Sequence, residues 1–442
     1  MLKNAMNFPR LLIAILLGAG CFDAATVTAQ DAARTWTNAQ GKTVVAGFGG
    51  VEGGKVILKM ANGQSVPVAL DQLSAADQAF VKAQTAVAPV PSSSPAGQPS
   101  PGRVPVEKRV WPETITVPTK SLDIAVVSES APDRKYIYRS ESFEFTSQAK
   151  LAGSVMKEVA RTFEATKTLV SQLPWGVECK PPVGMERYVA ALYETRADYI
   201  AAGGPENSGG VYMSGDKMFK IPFPSLGMEK RGQTYFKNDN YRADTLVHEI
   251  THQMMHDYLG YLPQWIIEGT AEYAEMLPYN AGTFRVDGWK GAFKDYLGDR
   301  AKFGYDPEIG SLEKHMTMNR EQWGAEANLS NMAMGKLYNR SLLLVFYFNH
   351  LDGDKKGTRF MKFFEAVYGE VLKERAFFAD PRVKMMIGGR YTYPSDLTPP
   401  DKDRATAPFK FFDLLLDGRS YEDLAKEIAE GFKSIGVKVS VN

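Results

Sequence analysis

The chain has 442 residues, enough for two to four domains, and its 44% hydrophobic and 23% charged residues are ordinary for a soluble globular protein. Its 52 Lys+Arg and 51 Asp+Glu give a net charge of +1, which provides no electrostatic footprint for nucleic acid or an anionic membrane. Two cysteines exclude a disulfide framework. Of the five histidines, His248, His252 and His256 are clustered.

The first 29 residues predict a secretory signal peptide. A stretch with basic but no acidic side chains precedes the apolar run Leu11–Gly20, which is too short to span a bilayer permanently. Val27–Ala29 then suits cleavage after Ala29, so we expect a secreted or periplasmic protein. A buried N-terminal helix is one alternative. A lipoprotein anchored through Cys21 is another, less favoured because the usual branched residue before the cysteine is missing.

No later segment reaches the 18 consecutive apolar residues of a membrane-spanning helix, so we expect no transmembrane segment in the mature chain.

A proline-rich segment at 86–106 predicts a linker, because prolines alternating with Ser, Ala, Gly and Val cannot bury a core. The linker separates a small module at 30–85 from a large module at 107–442.

The small module contains three short strand-like runs, Val44–Phe48, Val56–Met60 and Val66–Leu70, separated by glycine-containing turns. Ser74 and Asp77 then resemble a capping box that opens a short helix. Together with the Arg34-Thr35-Trp36-Thr37 segment, this pattern resembles the Sla-homology domain, an SH3-like β-barrel. The resemblance implies a protein partner for this module; the alternative is a passive appendage.

The large module begins with strand signals and continues with helical ones. Tyr136–Phe145 predicts one strand, and the apolar stripe that follows predicts a helix over Gln148–Leu173. Glu186–Tyr193 indicates a buried strand, and Val211–Phe223 a hairpin with a two-residue turn. Helical patterns dominate the remainder, so the sequence predicts an α+β fold with a mainly helical C-terminal half.

The segment Thr245–Tyr258 (TLVHEITHQMMHDY) carries the chemistry. On a helix, His248 and His252 share one face and can coordinate one metal ion. Imidazole nitrogens are common ligands of zinc. Glu249 lies next to them and can act on water at the metal. The alternative is a set of solvated helix-surface residues.

A second motif follows at Trp265–Tyr273 (WIIEGTAEY), after a short loop and Pro263. Two antiparallel helices would bring Glu268 to the metal as a third ligand. Gly269 is expected to let the second helix approach the first closely.

The two motifs together resemble the gluzincin metallopeptidases, and more closely the peptidase MA-like domains of exported bacterial proteins. The resemblance implies a zincin-like fold and a Zn²⁺ cofactor held by His248, His252 and Glu268. It makes Glu249 the general base that activates water at the metal to hydrolyse peptide bonds in a peptide or protein substrate. Glu272 would orient a ligand histidine, with its role as a ligand in place of Glu268 left open.

Tyr338 begins a helix that resembles the Y-x-x-S helix of peptidase MA-like domains, and we expect it to stabilise the oxyanion; the alternative is packing alone. His256, His315 and His350 are expected to be structural. Two other functions stay open: a catalytically inactive binding or cell-envelope scaffold, and a zinc-dependent hydrolase of a non-peptide substrate.

Overall fold

The computed structural model describes residues 34–38, 42–52, 55–60, 65–74, 76–78, 81, 103–238, 241, 244–386, 391–401, 403 and 405–442. The predicted signal peptide and nearly all of the predicted linker lie outside these residues. The chain divides into two compact units. The larger contains Pro99–Lys384 and Tyr393–Asn442, and the smaller contains Gly20–Gln98 and Met385–Thr392.

The smaller unit is built on a four-stranded antiparallel sheet in the order β1-β2-β3-β4. Its strands are β1 (Arg34–Thr37), β2 (Thr43–Glu52), β3 (Lys55–Met60) and β4 (Ser65–Ala69). Trp36 is buried in its core and its indole N–H donates to the Ala46 carbonyl at 2.9 Å. Asp77 accepts hydrogen bonds from the Ser74 hydroxyl and the Thr37 amide, which fastens the predicted cap to the sheet.

The larger unit contains a six-stranded mixed sheet in the order β10-β11-β9-β8-β7-β6. Its central strand β9 runs parallel to β8 and β11, and the other neighbours are antiparallel. The strands are β6 (Ala125–Ser130), β7 (Lys135–Arg139), β8 (Phe143–Ser147), β9 (Tyr188–Tyr193), β10 (Val211–Met213) and β11 (Met218–Pro222).

Two predicted strand features differ from the structure. The single strand expected at Tyr136–Phe145 is the hairpin of β7 and β8, because the carboxylate of Glu164 binds the Ser140 hydroxyl and the Ser142 amide and so fixes a turn there. The turn of the β10–β11 hairpin has four residues rather than two, since Met213 pairs with Met218.

The larger unit is mainly helical after residue 243, as the sequence predicts. Its helices are α1 (Gly153–Gln172), α2 (Arg196–Ala201), α3 (Asp244–Met254), α4 (Gln264–Met276), α5 (Trp289–Ala301), α6 (Leu312–Thr317), α7 (Arg320–Ala327), α8 (Asn331–His350), α9 (Thr358–Ala379), α10 (Asp413–Leu416) and α11 (Tyr421–Ser434). Its remaining strands are β5 (Thr114–Thr116), β12 (Met228–Arg231), β13 (Thr234–Lys237), β14 (Tyr279–Asn280), β15 (Thr283–Arg285), β16 (Glu308–Gly310) and β19 (Ser440–Val441). Two further strands, β17 (Lys384–Met385) and β18 (Tyr391–Thr392), pair with each other, and Met385–Thr392 belongs to the smaller unit. This combination of sheets and helices is the predicted α+β class.

One face of the large sheet is covered by α1, whose apolar stripe was visible in the sequence. The Phe163 ring lies 5.2 Å from that of Phe143, 5.1 Å from Phe145 and 5.4 Å from Phe219, all in edge-to-face geometry. The helix α3 packs beside α1 and also contacts β10 and β11 of the same sheet. The helix that carries the histidines is therefore held inside the unit rather than on its surface.

Gly269 allows a close helix approach, but to a different helix from the one expected. A Cβ atom at this position would lie 2.6 Å from Val345 Cγ2 and closer still to the Ser341 carbonyl, both on α8. The close contact at Gly269 therefore fixes the position of α4 relative to α8.

Among the described residues, the helices lack the combination of length and apolar character that crossing a bilayer requires.

Candidate metal centre

The helix α3 places two imidazoles on one face. Its apolar residues, including Leu246, Val247 and Ile250, are fully buried, and Asp244 in its first turn suits the positive end of the helix dipole. His248 and His252 follow one turn apart, with ring centroids separated by 4.8 Å. Both side chains are almost completely buried, so their ring nitrogens need partners inside the protein.

The third member of the cluster comes from α4. Glu268 Oε2 lies 3.4 Å from His248 Nε2 and 3.5 Å from His252 Nε2. Ligand atoms at about 2.1 Å from a tetrahedral zinc ion are about 3.4 Å apart, so these spacings suit a common metal ion. The other oxygen of Glu268 accepts a hydrogen bond from Gln264 Nε2 at 2.7 Å, which orients the carboxylate toward the histidines.

The three converging atoms are left without hydrogen-bond partners. His248 Nε2, His252 Nε2 and Glu268 Oε2 are all buried, and none of them has a partner within the described protein. Such atoms carry a desolvation cost, which a metal ion bonded to all three would offset. These two nitrogens and one oxygen therefore fit a zinc ion in three respects: their chemical type, their spacing and their lack of hydrogen-bond partners.

Glu249 is placed beside the cluster and outside it. Its Oε2 accepts a hydrogen bond from the Tyr212 amide of β10 at 3.0 Å, whereas its Oε1 is buried without a partner. The residue is completely buried. The carboxylate is therefore held by the edge strand of the large sheet at one oxygen, and its second oxygen is available to accept a proton.

The electrostatics of the cluster favour a positive charge between its ligands. Burial alone would lower the pKa of His248, but Glu268 and Glu275 outweigh it and raise that pKa well above the usual range. Burial would raise the pKa of Glu268, yet the adjacent imidazoles of His252 and His248 lower it to about 2. Burial raises the pKa of Glu249, and the neighbouring histidines only partly offset this effect.

The hydrogen bond expected from Glu272 to a ligand histidine comes from a different residue. His248 Nδ1 lies 3.1 Å from Glu275 Oε2 and 3.8 Å from Glu272 Oε1, and the longer distance exceeds a hydrogen bond. Glu272 instead binds Arg300 and accepts the Tyr296 hydroxyl at 2.6 Å. Glu275 was missed, although it lies seven residues after Glu268 on the same helix, a spacing that indicates a shared face.

Tyr338 lies on the side of α8 that faces the cluster. Its ring stacks on that of His248, with centroids 6.0 Å apart and planes inclined by 28°, and also lies near Trp323. This position is compatible both with a role at the reacting group and with packing.

The other histidines have partners outside the cluster. His256 Nδ1 is 2.6 Å from the Tyr212 hydroxyl. His315 Nε2 is 3.3 Å from Ser341 Oγ, and His350 Nε2 is 2.8 Å from the Tyr273 hydroxyl. Burial lowers the pKa of His315 and of His350 to about 3, which favours the uncharged imidazole at neutral pH.

The smaller unit offers a separate cavity of about 370 Å³ on its sheet. The buried ring of Trp36 and the exposed side chain of Val44 belong to its wall, together with polar groups such as Asn38 and Lys42. A mixed apolar and polar concavity of this size suits a few side chains of a bound peptide.

Comparison with known protein families gives a match in the N-terminal part of the chain. Residues 25–88 match SLA1 homology domain 1 (SHD1), which supports the Sla-homology module predicted from the sequence. No curated protein matches the chain. The metallopeptidase resemblance of the larger unit therefore rests on its two sequence motifs.

Proposed function

We propose that the chain is a zinc metallopeptidase of the gluzincin type with a zincin-like fold in its larger unit, exported through its N-terminal segment. The observation that carries the proposal is the convergence of three buried, unpartnered atoms at zinc-ligand spacing, on His248, His252 and Glu268. A zinc ion held there would lower the pKa of a coordinated water toward about 7 and polarise a carbonyl.

The chain's own residues supply the remaining steps. Glu249 Oε1 accepts the proton of the attacking water and returns it to the leaving amine, while Oε2 stays hydrogen-bonded to the Tyr212 amide. Burial raises the pKa of Glu249, which makes its carboxylate a stronger base. Tyr338, beside His248, is the proposed donor to the oxygen that becomes negatively charged.

An extended peptide can bind by adding to β10, the edge strand of the large sheet. The Tyr212 amide is engaged with Glu249, and Glu249, His248 and His252 are each at most 2% exposed. A substrate can therefore reach the cluster only when the packing around it opens. The smaller unit would hold a protein partner or a segment of the substrate in its cavity.

Metal analysis tests the site directly. Purified mature protein is expected to contain about one zinc per chain, and His252→Ala is expected to lose it. His256→Ala is the matched control because His256 continues the same helical row but bonds to Tyr212. Equal zinc content in His252→Ala and wild type, or a zinc-free wild type, would contradict the site.

Activity separates the enzyme from its alternatives. Incubation with a proteome-derived peptide library is expected to give cleavage that a chelator abolishes and added zinc restores. Protein that binds zinc and cleaves no peptide would favour the scaffold function or the hydrolysis of a non-peptide substrate.

A further inference from the structure

A buried polar cluster lies directly behind His248, formed by α4 and α5. The Arg300 side chain contacts the Glu272 carboxylate, and both residues are at most 8% exposed. The Tyr296 hydroxyl donates to Glu272 at 2.6 Å, lies 3.3 Å from Glu275 Oε1, and accepts from Arg300 at 2.8 Å. The cluster ends at the hydrogen bond between Glu275 and His248 Nδ1.

Two carboxylates on one helix compete for one imidazole N–H in this arrangement. Glu272 and Glu275 both approach His248 Nδ1, at 3.8 and 3.1 Å. A single N–H can satisfy one of them fully, and two carboxylates beside each other repel. Arg300 and Tyr296 resolve the competition, because they bind Glu272 and leave Glu275 as the acceptor.

We infer that Tyr296 and Arg300 are positioning residues of the zinc site, which act on zinc affinity through Glu275 and the orientation of His248. The inference rests on the proposed function. A metal-binding histidine needs its second nitrogen protonated and its ring held in place, and groups that do so commonly change metal affinity by about 10–100-fold. Both residues lie on α5, outside the two motifs that hold the ligands.

Tyr296→Phe gives the cleanest test, since it removes one hydroxyl and keeps the ring. Zinc affinity measured by competition with a chromophoric chelator is expected to fall about 10-fold. Glu275→Gln is expected to have a similar effect. The double variant is expected to lose no more zinc affinity than the more affected single variant. Both substitutions interrupt the same hydrogen-bonded path from Tyr296 through Glu275 to His248.

Tyr279→Phe is the matched control. Its hydroxyl is also hydrogen-bonded, at 3.0 Å to Thr162, but has no link to Glu272, Glu275 or Arg300. Thermal unfolding of the metal-free proteins measures the structural effect of each hydroxyl, and the absorption spectrum of the cobalt-substituted proteins measures ligand geometry. We expect Tyr296→Phe to change affinity and spectrum, and Tyr279→Phe to change neither.

The outcomes distinguish this inference from the proposal beneath it. A wild type that binds no zinc would contradict the metal site itself. A wild type that binds zinc and a Tyr296→Phe variant of equal affinity and unchanged cobalt spectrum would overturn only the positioning role. The positioning role would also be overturned if the losses of zinc-binding free energy in Tyr296→Phe and Glu275→Gln add in the double variant. Additive losses would show that the two residues affect the zinc site independently.

Discussion

At the scale of single residues, the two oxygens of Glu249 have different surroundings. Oε2 is held by the Tyr212 amide and Oε1 has no partner in the described protein. We expect Glu249→Gln to keep zinc and the fold but to lower turnover by at least ~10²-fold, because an amide cannot take the proton. Steady-state cleavage and zinc content, measured on one preparation, check this. Undiminished cleavage would show that Glu249 is not the base.

Tyr338 provides a second prediction at this scale. If its hydroxyl donates to the developing oxyanion, Tyr338→Phe lowers kcat by about 10²–10³-fold and leaves zinc affinity unchanged. Loss of packing beside His248 would instead lower stability or zinc affinity with little effect on kcat. Trp323, which neighbours the Tyr338 ring, serves as the control: Trp323→Phe should affect packing alone.

At the scale of elements, the contact between α4 and α8 sets the position of a ligand. Gly269 follows Glu268 directly, and a methyl group there would meet Val345 and the Ser341 backbone. Overpacking of this kind costs about 1–3 kcal/mol, and a shift of α4 would change the distance of Glu268 from the histidines. We therefore expect Gly269→Ala to lower both the free energy of unfolding and the zinc affinity, as measured by denaturant titration and chelator competition.

Gly298→Ala is the matched control on α5. A Cβ atom there meets nothing within 4 Å, so the substitution should stabilise the helix by up to about 1 kcal/mol. Equal effects of the two alanine substitutions would show that the α4–α8 contact tolerates a side chain and does not determine the position of Glu268.

At the scale of the whole molecule, the start of the larger unit is held by two arginines. Arg103 donates to the Gly176 carbonyl at 2.6 Å and to Glu365 at 2.9 Å, and Arg109 contacts the same carboxylate. The proline-rich composition of 86–102 predicts proteolytic cleavage in that segment. We expect limited proteolysis to cut there and to leave a zinc-retaining fragment that begins near Arg103.

Glu365→Gln weakens both contacts and should extend the cleavage to the segment between Arg103 and Arg109. Mass spectrometry of the fragments locates each cut. Resistance of 86–102 to proteolysis would contradict the prediction from composition. Cleavage of the wild type after Arg103 would contradict the role of Glu365.

Short sequence patterns predicted much of the secondary structure of the larger unit. They did not predict the contacts between elements that are distant in the sequence. The helical stripe around Phe163 and the spacing of His248 and His252 are properties of short segments, and the structure shows both. The choice of Glu275 over Glu272 depends on Arg300, which is 25 or more residues away on another helix. The Gly269 contact likewise depends on α8. No local period in a sequence encodes such pairings.

The depth of the cluster has a consequence for how the protein acquires its metal. His248, His252 and Glu268 are at most 2% exposed, between helices that pack on both sides. An ion enters or leaves such a place only when the surrounding structure opens, and opening of a packed core is slow. The rate of this opening then limits both the removal of zinc by a chelator and reloading with added zinc. Loss of zinc from the folded protein should therefore keep the same rate when the chelator concentration is raised, and should become faster when mild denaturant promotes opening.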